Sequence, residues 1–324
     1  MRHRPVARRS RTAALTLGAL LGSAACVADG PRGPHRVLAV YYGGYSNPLA
    51  SGGYGRWACA EHDPSRLNSL GYPDSATLHH PRLGMYDSRN PIIVAEHVRQ
   101  AVSAGISGFV VPWRGDDRGA AEVLDALWRA APAHGLEVTV RYDGAADVVP
   151  RRVAEDIGRL LDDHPREAGA WVRSASAPVV FLSRSVVERL GVRGVQQVRE
   201  RLRASGRAVW LVGGRSSGLA LAAFGVDEGA PQPSPFGRYV RLCPWYISGD
   251  VGPGTCAVVR SGVGGRFYED QWIAALSGDP DWVLVDSWNG WREGTEIEPS
   301  LEEGDKYLRL TRQYAEAFQE GRYL

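Results

Sequence analysis

Ile92-Ile-Val-Ala-Glu-His-Val-Arg-Gln-Ala-Val-Ser-Ala-Gly-Ile-Ser-Gly-Phe-Val-Val-Pro-Trp113 contains two different hydrophobic periods in succession. Val94, Val98, Ala101 and Val102 recur at the spacing of one helical face, which predicts a helix over 92–104. Residues 108–113 are a short β-branched and aromatic run behind a glycine, which predicts a strand. The same alternation extends both ways along the chain. Upstream, Val37-Leu-Ala-Val-Tyr-Tyr42 reads as the first strand, and a Gly/Tyr/Trp-rich loop over 43–86 follows it. Downstream, helix 120–134 precedes strand 138–142, helix 153–163 precedes strand 178–182, and helix 195–204 precedes strand 209–212. Weaker strands are expected at 239–242 and 256–259, then helix 268–276, strand 282–286 and a last helix over 304–320. Close to eight βα units in one chain predict an α/β fold, a single (β/α)8 TIM barrel over 37–324. A doubly wound open sheet is the alternative, but no Gly-rich dinucleotide fingerprint follows the first strand.

Composition narrows the function. The chain has 324 residues, 44% hydrophobic and 23% charged, with a net charge of +2, so it presents no excess positive field for nucleic acid. Residues 1–25 read as a signal peptide: Arg2, Arg4, Arg8, Arg9 and Arg11 form a basic region, 12–21 is a short apolar core, and Gly22-Ser-Ala-Ala25 supplies the small residues of a cleavage site. Export to the cell surface or beyond is expected, with 26–36 as a linker. Cys26 invites two readings of equal weight: the lipid-modified first residue of a membrane-anchored lipoprotein, or a bystander to simple cleavage after Ala25 or Ala28. In an oxidising compartment Cys243 and Cys256 are expected to form a disulfide, leaving Cys59 unpaired. No CxxC, HExxH or clustered His/Cys pattern occurs, so neither metal nor cofactor is expected.

In a barrel of this class the functional residues follow the strands at the C-terminal face. Those positions hold Tyr41 and Tyr42, Trp113 with Arg114, Tyr142 with Asp143, Trp245 with Tyr246, and Trp288 to Glu298. Aromatic faces stack on the C–H faces of sugar rings and carboxylates bind hydroxyls, so an oligosaccharide or polysaccharide is the expected partner. Glu293, Glu296 and Glu298 crowd six residues, with Asn289, Arg292 and Thr295 beside them. Glycoside hydrolysis needs one carboxyl group to protonate the leaving oxygen and usually a second as nucleophile or base. Three nearby glutamates also describe an ordinary solvated loop face.

The segment Ser287-Trp-Asn-Gly-Trp-Arg-Glu-Gly-Thr-Glu-Ile-Glu-Pro-Ser300 resembles the C-terminal signature of the glycoside hydrolase family 99 endo-α-mannosidases and their bacterial relatives, approximately Ser/Phe-Asn-Glu-Trp-His-Glu-Gly-Thr-Gln/Glu-Ile-Glu-Pro. Val40-Tyr-Tyr42, His80-Pro-Arg-Leu-Gly-Met-Tyr-Asp-Ser88, Ala104-Gly-Ile-Ser-Gly-Phe-Val-Val-Pro-Trp113, Tyr268-Glu-Asp-Gln-Trp272 and Glu303-Gly-Asp-Lys-Tyr-Leu308 extend the likeness. The resemblance implies a retaining glycosidase for α-mannoside-type bonds with Glu293 as general acid/base. In the family a second glutamate three residues earlier assists the 2-hydroxyl of the substrate; here that position is Gly290. Ser107 stands where relatives often carry Asp, and Asp143 where they usually carry Glu. Asp143, Glu269 and Asp286 are the carboxylates expected to compensate, with Tyr41, Tyr42, Trp113, Tyr142, Trp245, Trp288, Asn289 and Glu296 as sugar contacts. A non-catalytic surface glycan-binding barrel is the alternative, and a polysaccharide-building or remodelling enzyme ranks behind both. The sequence assigns no oligomeric state.

Overall fold

A computed structural model describes residues 35–115, 117–144, 147–164, 170–174, 177–214, 264–277 and 280–322, together with short strands at 225–226, 239–242, 246–248 and 259–261. Eight parallel strands follow one another through one sheet: β1 (Arg36–Val40), β2 (Gly108–Trp113), β3 (Glu137–Tyr142), β4 (Ala177–Leu182), β5 (Trp210–Gly214), β6 (Gly225–Val226), β7 (Tyr239–Leu242) and β8 (Trp282–Val285). Hydrogen bonding runs in the order β6-β5-β4-β3-β2-β1-β8-β7, and the two ends of that order, β6 and β7, are neighbours. β1 therefore pairs with both β2 and β8, with Leu38 opposite Gly108 on one side and Leu284 on the other. This is the (β/α)8 barrel.

Most of the expected elements form, and several run longer than their periodic cores. α1 (Pro91–Ser103) starts where the Asn90 side chain accepts from the Ile92 backbone N–H and Pro91 presets the first turn. α2 (Arg118–Ala130) is capped the same way by Asp117, whose side chain accepts from the Ala120 N–H, and a 3-10 turn, Ala131–His134, finishes it. α3 (Pro150–Asp163) follows β3, and α4 (Arg184–Ala204) starts well before the expected 195 because a second helical stretch joins it across Gly191 at φ 61°. A single helical turn, Pro48–Ser51, in the loop after β1, together with α5 (Arg266–Ser277) and α6 (Lys306–Gln319), completes the described helices. Of the strand expected at 256–259 only Val259 lies among the described residues, and Val259–Ser261 pairs antiparallel with Tyr246–Ser248, off the ring. The stave it was meant to supply is Gly225–Val226, two residues too short to carry any period.

Strand alternation builds two cores. Leu38, Val40, Val110, Val179, Phe181, Val212, Trp282 and Leu284 fill the barrel interior. Val37, Ala39, Phe109, Val111, Val138, Val140, Val283 and Val285 face the other way and pack with Val94, Val98, Leu124 and Phe318 of the surrounding helices. Among the described residues no helix is long and apolar enough to cross a membrane.

Cys59 is disulfide-bonded, which corrects the expectation that it stays unpaired. Its partner is one of Cys26, Cys243 and Cys256, all outside the described residues, as is the expected Cys243–Cys256 bridge. Short sequence separation favours a pairing only through loop-closure entropy, which grows slowly with length, so a fold that returns a distant segment overrides it. Leu38 is fully buried inside the barrel. Leu38→Ala is therefore expected to cost ~2–5 kcal/mol in urea unfolding, with the denaturant slope unchanged.

Candidate active site

At the mouth of a barrel, strand parity decides which side chains meet a ligand. Leu38 and Val40 point inward, so Tyr42 continues their row and packs against the interior cluster. Val138, Val140 and Tyr142 point outward, which leaves Arg141 and Asp143 on the inner row of β3. Asp286 continues the inward row of Leu284. The Arg141 fork grips Asp143 at two points, Nε to Oδ1 at 2.7 Å and Nη2 to Oδ2 at 3.1 Å. Burial opposes the Arg141 charge, but Asp143, with Tyr42 and Asp286 close by, outweighs it and raises the pKa well above the ordinary value. Tyr42, Arg141, Asp143 and Asp286 thus form one polar group at the mouth.

Three expected sugar contacts have the opposite parity and are corrected. Tyr41 is fully buried with its hydroxyl 3.0 Å from His97 Nδ1. Trp113 and Tyr142 pack edge to face at 5.7 Å, and the Tyr142 hydroxyl donates to the buried Asp156 at 2.8 Å. These side chains lie between sheet and helices and support the mouth from behind.

The segment after β8 is fastened to β1. The Trp288 N–H donates to Val40 O at 2.8 Å. Asn289 clamps the Tyr42 peptide: its Oδ1 accepts from Tyr42 N at 2.7 Å and its Nδ2 donates to Tyr42 O at 2.9 Å. Trp288 is fully buried between His97 and Phe109. Both residues, expected to touch sugar, are instead buried and fasten this segment to β1 and to Tyr42.

The three glutamates divide. Glu298 is buried and accepts from Tyr86 Oη at 2.7 Å and Trp291 Nε1 at 2.8 Å, while His97 Nε2 lies 3.1 Å from its other oxygen. Glu296, only 3% exposed, sits 3.0 Å from His79 Nδ1, so it is a structural contact where a ligand contact was expected. Glu293 alone stays partly open, its side chain 24% exposed. Its Oε1 pairs with Arg56 Nη2, and the Arg56 guanidinium lies over the Tyr42 ring at 4.8 Å and the Tyr45 ring at 5.5 Å. That stacking joins Glu293 to the polar group around Arg141.

Gly290 is enclosed. A Cβ there would meet Ser287 Oγ at 2.3 Å, Thr295 Oγ1 at 2.4 Å and Tyr42 Cε2 at 3.3 Å. Ser287 Oγ already accepts from the Gly290 N–H at 2.6 Å and lies 3.0 Å from Thr295 Oγ1. Glu269 is in the first turn of α5, in the helical layer and not on a strand, where burial and its charge raise the pKa of Tyr314 on α6. Ser107 precedes β2 at the opposite barrel end, donating to Val37 O, so its difference from Asp leaves the mouth untouched. Trp245 lies outside the described residues. Among the described residues no group of three or more ligating side chains is placed to hold a metal.

Arg141, Arg56 and His97 complete the site and were not singled out from sequence. Arg141 was legible from parity, standing one residue from Val140 in an alternating strand. Arg56 gave no local signal, because 237 residues separate it from Glu293.

The sequence profile of glycosyl hydrolase family 99 matches residues 34–206, more than half the chain. The chain belongs to glycosyl hydrolase family 99. The match stops short of the terminal motif, but curated relatives align further. Glycoprotein endo-alpha-1,2-mannosidase of Mus musculus is 24% identical over 348 residues, covering 88% of this chain and 75% of its own. The glycoprotein endo-alpha-1,2-mannosidase-like protein of Danio rerio is 25% identical over 352 residues, covering 86% and 77%. The solved family 99 endo-alpha-mannosidase from Bacteroides thetaiotaomicron superposes with TM-score 0.72 at 20% identity, over 89% of this chain and 99% of that one, which shows the shared fold.

The long β1 loop that brings Arg56 to this family 99 mouth is tied at its far end by Asp87, which accepts from Arg89 N, Nε and Nη2 at 2.8, 2.9 and 2.6 Å. Those Arg89 bonds hold the Asp87 pKa below the ordinary carboxylate value. A depressed folded-state pKa contributes stability that is present above the unfolded value, ~4, and is lost as pH falls through the lower folded one. Asp87→Asn should therefore flatten the acid limb of a stability-versus-pH curve. Glu298→Ala strands His97, Tyr86 and Trp291 in the core, and chemical denaturation should register a loss of ~3–5 kcal/mol.

Proposed function

We propose that this chain is a glycosidase that cleaves α-linked mannosides in a glycan, with Glu293 as general acid/base and Asp143 as the second carboxylate. The observation that carries the reading is Glu293 itself: of the three glutamates in the motif it is the one left partly exposed, beside Tyr42 at the mouth of a family 99 barrel. The named relatives are endo-alpha-1,2-mannosidases, which supports a mannoside and cleavage within a chain. Asp143 stands on the inner row with a bidentate partner fixing its orientation, as a group held for one approach geometry should be. Asp286, on the inner row of β8, is the reserve.

Gly290 favours a second reading, a glycan-binding barrel without turnover. The family's glutamate at that position has no direct substitute, and the pocket around Gly290 is filled by Ser287 and Thr295 hydroxyls. Restoring the carboxylate by Gly290→Glu alone is consequently a poor rescue: buried hydroxyls must rotate away first, and ~1–3 kcal/mol of overpacking cost is expected. Glu293→Gln separates the readings. Under the enzyme reading, hydrolysis of an α-mannan or α-manno-oligosaccharide falls ~10²–10⁴-fold while the glycan still binds. Binding by the wild type with no turnover across α-linked glycans would leave the second reading standing. Asp143→Asn should lower turnover more than affinity.

Export by the leader over 1–25 and, in its lipoprotein form, anchoring through Cys26 belong to the same proposal, since an exported glycosidase meets its polymer outside the cell. Cys26→Ala should release the protein from the membrane fraction if Cys26 carries the lipid.

A further inference from the structure

Arg56 occupies a position that no part of the terminal motif explains. It lies in the long loop after β1, yet its Nη2 donates to Glu293 Oε1 and its plane is stacked on Tyr42 and Tyr45. Gly44 makes room for its stem: a Cβ on Gly44 would come within 2.6 Å of Arg56 Cδ. The contact with Glu293 is made at a single point. A side-on fork would pair Nε with the second carboxylate oxygen and leave nothing over. Here Arg56 Nε and Glu293 Oε2 are both buried and both lack a hydrogen-bond partner among the described residues.

An unused N–H donor and an unused carboxylate oxygen on one ion pair are satisfied together by hydroxyl groups, which accept from the first and donate to the second. While Glu293 is ionised the pair is formally neutral and offers no counter-charge to an ionised substituent. We propose that Arg56 contacts substrate and positions Glu293. Its Nε–H binds a hydroxyl of a neutral pyranose, and its grip on Oε1 leaves Oε2 as the oxygen that handles the proton. The inference rests on Glu293 being the general acid/base. In the cleavage step the proton on Oε2 passes to the glycosidic oxygen as its bond to the anomeric carbon breaks with the electron pair left on that oxygen, while an oxygen of Asp143, the second carboxylate of the proposed function, bonds the anomeric carbon. The incoming water then bonds that carbon as the bond to Asp143 breaks with its electron pair left on the carboxylate, and the water proton returns to Oε2.

Two mannoside substrates test this, one an unactivated α-manno-oligosaccharide and one an aryl glycoside whose leaving group departs without protonation. In Arg56→Met, kcat/KM should fall about 1000-fold on the unactivated substrate and about tenfold on the aryl glycoside, which loses the hydroxyl contact alone. Arg56→Lys should recover about tenfold of the loss, because it restores charge without the planar fork. Gly44→Ala displaces the Arg56 stem without altering the side chain and should reproduce the same leaving-group contrast. Calorimetric binding of the oligosaccharide to Glu293→Gln should weaken about tenfold when Arg56→Met is added. Equal losses on both substrates in a folded Arg56→Met protein, or unchanged binding, would overturn the proposal. If the wild type cleaves neither substrate, the hydrolase reading fails by itself; unchanged oligosaccharide affinity in Arg56→Met then rejects the Arg56 contact independently.

Discussion

Each residue of a strand in a closed sheet has two places to go, the interior or the helical layer, and its neighbour takes the other. The strand-borne part of the mouth of this barrel follows from that alternation. Leu38 and Val40 commit Tyr42 to the inner row, and the outward Val138 and Val140 commit Arg141 and Asp143. The same rule sends Tyr41, Trp113 and Tyr142 into the layer behind, where their hydroxyls and rings brace the mouth. A polar site and an apolar support are thus built from adjacent residues.

The support is held by a buried carboxylate. Glu298 has no access to water, so its charge is tolerated only because Tyr86, Trp291 and His97 surround its two oxygens. Those partners come from the β1 loop, from α1 and from the terminal segment itself. Satisfying one charge therefore fixes three chain segments, and Glu293 lies between two of the residues it fixes, Trp291 and Glu298. Asn289 adds a second fastening by taking both sides of the Tyr42 peptide. Precision at Glu293 is in this sense a consequence of groups that never meet a ligand.

Electrostatics at the mouth are nearly balanced. Arg56 and Arg141 face Glu293, Asp143 and Asp286, three carboxylates against two guanidinium groups. A slight formal excess of negative charge suits a reaction whose transition state develops positive charge on a sugar ring, because cations left unneutralised there would oppose it. The absence of a side chain at Gly290 is then one change within a group that still holds three carboxylates, and the Ser287–Thr295 hydroxyl pair occupies the volume that a carboxylate stem would need.

The sequence by itself determined the barrel class, since repeated changes between helical and strand periods leave few other ways to bury both patterns. It also determined the family likeness and, through the terminal motif, Glu293. It misplaced Tyr41, Trp113 and Tyr142, read by proximity to a strand end without parity, and it described the 225–226 stave not at all, because two residues carry no period. Tertiary structure alone decided that Glu296 and Glu298 are buried, that Cys59 is bridged, and that Arg56 reaches Glu293. The physical reason is range. Periodicity, capping and turn chemistry act over a few residues and leave a local record, whereas an ion pair across 237 residues depends on where a closed barrel brings its loops.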